Sequence, residues 1–154
     1  MKSTDKSFQN GTHRTCSPDQ TLQVVQPHLA AMGITRVANV TGLDRIGIPV
    51  VNAFRPHARP LSVSQGKGLT LQAARASAVM EAIEGFHAED IDQAWIEGSY
   101  DDVATNSRVI DTTGLAYLAG RRFDRTQSIL WISGHELMSD RQVLVPSELV
   151  HTDY

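Results

Sequence analysis

The sequence lacks several features that would each point to a particular class of protein. It has one cysteine, Cys16, which excludes an internal disulfide and a zinc site built from several cysteines. It has no basic excess, because 14 Lys and Arg residues stand against 17 Asp and Glu residues for a net charge of −3. A dedicated nucleic-acid binder usually carries a strong basic excess, so we expect no nucleic-acid partner.

Long apolar runs are also missing. No run of about 18 apolar residues occurs, which excludes a transmembrane helix, and no apolar stretch typical of a secretory signal follows the polar N-terminus. These absences and the single cysteine favour a cytoplasmic protein with no membrane partner. Apolar residues make up 41% of the 154 residues and charged residues 20%, which is typical of one globular domain.

The N-terminal part of the chain predicts a polar arm and then a helix. Residues 1–17 are rich in polar and charged side chains, which predicts an arm that stays mobile until it binds a partner. Residues 18–32 carry apolar side chains at helical spacing, with Ser17 as the N-cap and Gly33 after the helix. Pro27 lies inside this pattern and should kink or shorten the helix.

The rest of the chain predicts strands around one long helix. Residues 70–90 contain no proline and many Ala, Met, Glu and Gln residues, so we predict a helix with Thr70 as its N-cap. Weaker patterns at residues 100–103 and 111–119 favour short helices. Segments rich in β-branched or apolar residues predict strands, the last two joined as a hairpin: residues 34–41, 48–55, 61–64, 129–133 and 143–145. Antiparallel or mixed strands packed with one segregated long helix indicate the α+β class.

A glycine-rich segment precedes the long helix. Gly66 and Gly68 flank Lys67, and glycines, free N–H groups at a helix start and a Lys charge together suit a phosphate. The segment is not a Walker A loop, which needs four residues between its glycines and a Ser or Thr after the Lys. A tight turn with a solvated Lys explains the same residues, and the local sequence favours this simpler interpretation.

The long helix carries a polar face. Ser77, Glu81 and Glu84 are spaced by four and then three residues, so they project from one side of the helix. Two carboxylates on one face repel each other unless a cation lies between them or one is protonated. Oxygen donors at this spacing suit Mg²⁺, which binds through one or two carboxylates and substrate phosphates. A solvent-exposed acidic stripe fits the same pattern, and the spacing alone favours the stripe.

Other reactive or bulky side chains give weaker signals. The six histidines are scattered and show no i, i+4 pair of the kind that binds zinc. We interpret most of them as surface or packing residues. We interpret Trp95 and Trp131 as core anchors.

Taken together, these segments resemble the YcaO domain family. Three blocks carry the resemblance, and they fall in the family's order along about residues 11–150. The first comprises Gly11-Thr12-His13-Arg14, residues 33–50 and Arg55-Pro56, which resemble the family's N-terminal block. The second comprises Ser64-Gln65-Gly66-Lys67-Gly68, Ala74 and residues 77–84, which resemble its nucleotide and magnesium helix. The third comprises residues 145–150, which resemble the stretch closing the first half of the domain.

The resemblance implies a specific chemistry. YcaO proteins use ATP and Mg²⁺ to phosphorylate a backbone amide oxygen of a peptide or protein substrate. A nucleophile then attacks the amide carbon to give an azoline, thioamide or amidine. The resemblance assigns Arg14, Thr21, Ala76 and Ser77 to ATP and Glu81 and Glu84 to Mg²⁺. Lys67 of the glycine-rich segment is added to the candidate ATP-binding residues because of its charge. It also implies a TfuA-like or leader-peptide-binding partner.

Two departures from the family pattern shape the expectation for this chain. The family often has an Arg directly after its second glutamate, and Gly85 stands there. A complete domain is more than twice this length and has a second glutamate pair, which is not found after residue 90. We therefore expect residues 18–154 to be the N-terminal half of a YcaO-like domain, acting with a complementing C-terminal half or as a homodimer.

A second interpretation belongs to a different functional class. The chain could be a non-catalytic, truncated interaction module or a split-enzyme subunit, in which exposed strand edges recruit a partner or another copy. A neighbouring reading frame that encodes the missing glutamate pair would favour the split enzyme.

Overall fold

The computed structural model describes residues 5–9, 12–115 and 119–152. They form two compact units, one containing the chain up to Asp90 together with Thr152, the other running from Ile91 to His151. In both units the named strands pair antiparallel, and the helices are separate elements. The predicted α+β class is confirmed.

Within its described residues, the first unit contains five strands and two α-helices. A short hairpin is followed by a helix and a 3-10 turn, and then by a three-stranded sheet and a long helix. In chain order these elements are β1 (Ser7–Gln9), β2 (Thr12–Arg14), α1 (Pro18–Val25), the 3-10 turn (Gln26–His28), β3 (Arg36–Asn39), β4 (Val50–Phe54), β5 (Val63–Lys67) and α2 (Leu71–Glu89). The sheet order is β3-β4-β5.

The predicted polar arm contains regular structure. β1 and β2 pair antiparallel with Phe8 opposite His13, so the segment that we expected to be mobile forms a hairpin. The prediction missed it because polar strands of three residues leave no alternating apolar pattern in the sequence. This hairpin places Arg14 at the end of β2.

Helix α1 begins as predicted and ends earlier than the apolar pattern suggested. The Ser17 hydroxyl accepts a hydrogen bond from the Gln20 N–H, and the Gln20 side chain accepts one from the Ser17 N–H. The α-helix stops at Val25, and a 3-10 turn containing Pro27 follows. Proline has no N–H and its ring clashes with the carbonyl of the preceding turn, so the helix cannot continue to residue 32.

Helix α2 matches the predicted helix and packs closely on the sheet. Ala74, Ala78 and Ala82 form a stripe at i, i+4 and i+8, and each is at most 1% exposed. A Cβ on Gly66 of β5 would lie 2.1 Å from the Ala74 carbonyl oxygen and 2.2 Å from the Ala78 backbone nitrogen. The strand backbone therefore approaches the helix backbone to a distance that excludes any side chain at position 66.

The third predicted strand is displaced along the chain. The expected segment was 61–64, whereas β5 spans Val63–Lys67 and takes in most of the glycine-rich segment. Glycine weakens a strand by itself, but here it allows the strand to approach α2. Local composition indicated a loop, and the packing against α2 decides the element instead.

The second unit is a three-stranded sheet with a short helix. Its elements are β6 (Ile96–Gly98), α3 (Tyr100–Val103), β7 (Ile129–Glu136), β8 (Arg141–Pro146) and a 3-10 turn (Ser147–Leu149), with sheet order β6-β7-β8. The predicted hairpin and the short helix at 100–103 are present, and both hairpin strands are longer than predicted. β6 was not predicted, because three residues carry too little periodic signal. No helix forms at residues 111–115, and 116–118 lie outside the described residues.

Trp131 anchors the second unit. It is fully buried, its indole N–H donates to the Gly98 carbonyl oxygen at 2.9 Å, and the rings of Tyr100 and Phe123 pack edge-on against it. The prediction of a core anchor is confirmed for Trp131 and wrong for Trp95, which is 40% exposed. A tryptophan can pack one ring edge and leave the rest in water, so residue type alone does not fix its burial.

None of the helices in the described part of the chain combines the length and the apolarity that a membrane crossing requires.

The contact between β5 and α2 gives a first prediction. Gly66→Ala should lower the free energy of unfolding by about 3 kcal/mol, because the new Cβ forces two backbones apart. Urea denaturation followed by circular dichroism measures the change. Gly114→Ala is the matched control, since a Cβ there has no heavy atom within 4 Å. Equal stability of the two variants would contradict the close packing.

Candidate functional site

Helix α2 presents a second face away from its alanine stripe. A concavity of about 560 Å³ lies along this face, bounded by residues of α2 and by Arg14 of β2. Its lining residues are Arg14, Ala76, Ser77, Met80, Glu81, Ile83, Glu84 and His87. The 3.6-residue period of the helix separates the two faces, so packing on the sheet turns this face away from β5.

The structure brings five of the seven predicted site residues together. They are Arg14, Ala76, Ser77, Glu81 and Glu84. Glu81 and Glu84 are exposed and lie about one turn apart, while Ser77 is half-buried and precedes Glu81 by about one turn. Arg14 is half-buried, although it comes from a segment more than 60 residues away along the chain. One arginine, one serine and two glutamates therefore line the same concavity.

Thr21 is not among the residues that line this concavity. Its hydroxyl group donates to the Ser17 carbonyl oxygen at 3.1 Å and lies 3.3 Å from the Cys16 sulfur. Both contacts belong to the start of α1, so the observed bonds of Thr21 stabilise the helix start.

Lys67 also lies outside this lining. It is the exposed last residue of β5, and its neighbour Gly66 faces α2. Successive strand residues point to opposite faces, so Lys67 points away from the helix that carries Glu81. A Cβ at Gly68 would lie 2.7 Å from the Ala73 Cβ, so this glycine also serves close packing. The tight turn expected at this segment is wrong, because Gly66 and Lys67 lie in β5, and the expectation of an exposed Lys67 is met.

The oxygen atoms that line the concavity favour one class of metal ion. Carboxylate and hydroxyl oxygens are hard donors, which suit Mg²⁺ rather than a metal that prefers sulfur or imidazole. Within the described ranges, no three His, Cys, Asp or Glu side chains cluster closely enough to hold a metal by themselves. Mg²⁺ does not need three protein ligands, because it keeps waters and takes oxygens from a bound phosphate. These residues fit an Mg²⁺ ion that arrives with a phosphate ligand.

Sequence reasoning missed three residues of the lining. Met80, Ile83 and His87 are part of the concavity, although none of them is among the predicted site residues. The sequence could have identified His87, because it follows Glu84 by three residues and therefore lies on the same face of the helix. Met80 is 41% exposed, so the site has an apolar strip beside its carboxylates.

A family model matches the C-terminal part of this chain. The family is described as YcaO cyclodehydratase, ATP- and Mg²⁺-binding, and the match covers residues 65–154. This range includes the whole of α2 and the second unit.

Two relatives have similar sequences over most of this chain. An uncharacterized protein of Mycobacterium tuberculosis is 40% identical over 140 residues, which are 91% of this chain and 32% of that protein. An uncharacterized protein encoded in the tfuA 3′ region of Rhizobium leguminosarum bv. trifolii is 40% identical over 145 residues, covering 92% and 34%. The chain thus spans about a third of the length of the curated relatives that it matches.

Two solved structures share the fold. YcaO from Methanopyrus kandleri, bound with AMPPCP and Mg²⁺, superposes with a TM-score of 0.71 at 24% identity over 99% of this chain and 38% of its own. A heterocyclase in complex with substrate and cofactor superposes with a TM-score of 0.75 at 19% identity over 100% of this chain and 24% of its own. The resemblance seen in the sequence is confirmed, and because the family model covers more than half of the chain, this chain belongs to the YcaO family.

Proposed function

We propose that this chain contributes one side of an ATP- and Mg²⁺-binding site to an enzyme that modifies peptides or proteins. The observation that carries the proposal is the convergence of Arg14, Ser77, Glu81 and Glu84 on one concavity of the first unit. The family membership and the nucleotide-bound YcaO structure with the same fold support it. The closest alternative from the sequence, an acidic stripe with no ligand, would not need an arginine from β2 beside the carboxylates.

Each residue has a role that follows from its chemistry. Glu81 and Glu84 would hold Mg²⁺ through carboxylate oxygens. Bound Mg²⁺ would neutralise negative charge on the phosphates. The Arg14 guanidinium would donate charge-assisted hydrogen bonds to phosphate oxygens. The Ser77 hydroxyl group can donate to the nucleotide, and Ala76 leaves space for it because its side chain is a single methyl group.

The reaction that we propose for the whole enzyme is activation of a backbone amide. The amide oxygen attacks the γ-phosphorus of ATP and ADP departs, which leaves a phosphorylated amide. A side-chain hydroxyl or thiol, a sulfide or an amine then adds to the amide carbon and phosphate leaves, giving an azoline, thioamide or amidine. Such a transfer needs positioning and charge neutralisation more than covalent help from the protein, which is what Arg14 and the carboxylates offer.

The proposal also concerns the partners of this chain. A complementing C-terminal segment, or a second copy, would supply the opposing half of the site, in line with relatives about three times as long. The Rhizobium relative is encoded beside tfuA, which supports a TfuA-like partner. The other partners that we propose are the peptide or protein substrate and a leader-peptide-binding protein, all in the cytoplasm, where ATP is available.

The metal-binding proposal predicts a binding defect. The chain should bind Mg²⁺–ATP saturably and weakly, because only one carboxylate pair is present, and Glu81→Gln/Glu84→Gln should lower the affinity by about tenfold or more. Isothermal titration calorimetry measures both affinities. Glu97→Gln is the control, since it removes an exposed carboxylate that is not part of the lining and should leave the affinity unchanged. A folded wild-type chain that takes up no nucleotide would favour the non-catalytic interaction module instead.

A second pair of variants separates the two cationic candidates. Arg14→Ala should weaken Mg²⁺–ATP binding by about tenfold, because it removes a charge-assisted bond to phosphate. Lys67→Ala should change the affinity by less than about twofold, since Lys67 points away from α2. The same titration provides the measurement. If Lys67→Ala weakens binding more than Arg14→Ala does, the phosphates bind at the glycine-rich segment and Arg14 does not belong to the site.

A further inference from the structure

A buried ion pair lies at the C-terminal end of α2. Arg55 follows β4 directly, and its Nη1 and Nη2 donate to Oε1 and Oε2 of Glu89 at 2.9 and 2.8 Å. Both residues are 7% exposed. Burying two charges is costly unless they are paired and hydrogen-bonded, so α2 cannot move away from β4 here without leaving an unpaired charge.

Further contacts make Arg55 the junction of three segments. Its Nε donates to the Met32 carbonyl oxygen at 3.1 Å, ahead of β3, and its guanidinium lies 5.4 Å from the ring centre of Phe86 on α2. Arg59 donates from Nη1 to the Glu89 backbone carbonyl oxygen at 3.2 Å. The last turn of α2 is therefore fixed through a side chain and through its backbone.

Gly85 lets the guanidinium lie against the helix. A Cβ on Gly85, the residue directly after Glu84, would lie 3.3 Å from the Arg55 Nη1, which is tighter than ordinary van der Waals contact. Gly85 is also the position at which the sequence departs from the expected arginine. The guanidinium group of Arg55 lies beside Gly85, the position at which the family often has an arginine.

We propose that Arg55 is a positioning residue for the metal-binding face of α2. Glu84 precedes Glu89 by five residues, which corresponds to about 140° around a helix of 3.6 residues per turn. Anchoring Glu89 on Arg55 therefore sets the rotation at which Glu84 projects into the concavity beside Glu81. This inference rests on the proposed function, because it assumes that Glu84 is a ligand.

The test compares variants that keep charge or volume. Arg55→Lys retains the positive charge and loses the two-pronged geometry, and Glu89→Gln retains the shape and loses the negative charge. Both should weaken binding of Mn²⁺–ATP, used as a spectroscopic probe, by about tenfold, the usual effect of losing a residue that orients a metal ligand. Electron paramagnetic resonance of free Mn²⁺ gives the affinity, and urea denaturation gives the stability of each variant.

A destabilised control separates positioning from general stability. Leu29→Ala shortens a buried core side chain of the same unit and keeps both charges, so it should lower the urea midpoint and change the affinity by less than twofold. Equal loss of affinity in Leu29→Ala and Arg55→Lys would reduce Arg55 to a stability residue. If Arg55→Lys binds Mn²⁺–ATP as tightly as the wild type while Glu81→Gln/Glu84→Gln binds it weakly, the inference about Arg55 is overturned and the proposed function is kept. Absence of binding in the folded wild-type chain would overturn the proposed function, and the inference with it.

Discussion

The close approach of β5 to α2 is the constraint on which the first unit depends. Gly66 has no side chain, and the space that one would need is taken by the backbone of α2. A stripe of alanines on the helix completes the contact, so neither surface can hold a larger residue. Because this contact fixes which side of α2 faces the sheet, it also fixes which side is left for Ser77, Glu81 and Glu84.

The two ends of α2 are held by different physical means. In its N-terminal half, van der Waals packing against Gly66 of β5 holds the helix. At its C-terminal end, the buried pair of Arg55 and Glu89 adds opposite charges and directed hydrogen bonds. Close packing sets which side of the helix faces the sheet, and the two-pronged ion pair holds that rotation at the C-terminal end of the helix. Two exposed carboxylates on one helix face repel each other, and a cation between them would relieve that repulsion. The packing of the unit therefore sets the position of the face for which we propose the binding of Mg²⁺ and a nucleotide.

Much of this arrangement can be predicted from the sequence, and the rest depends on contacts between distant segments. The limits of α2 follow from composition and the Thr70 cap, and the common face of Glu81 and Glu84 follows from their spacing. Neither the span of β5 nor the direction of Lys67 could be predicted, since local composition cannot show that a glycine is packed against a helix. The β1–β2 hairpin leaves no periodic signal, so the place of Arg14 in the site rested on family resemblance. Arg55 and Glu89 are 34 residues apart, and nothing in their local sequences reveals that they pair.

The measurement that tests the central claim most directly is paramagnetic broadening of amide resonances by Mn²⁺–ATP. The claim is that the α2 face beside Arg14 receives the metal and its nucleotide. It predicts that the amide signals of Ser77, Glu81, Glu84 and Arg14 broaden at a lower Mn²⁺–ATP concentration than the amide signal of Lys67. Uniform broadening, or broadening that begins elsewhere in the chain, would contradict it.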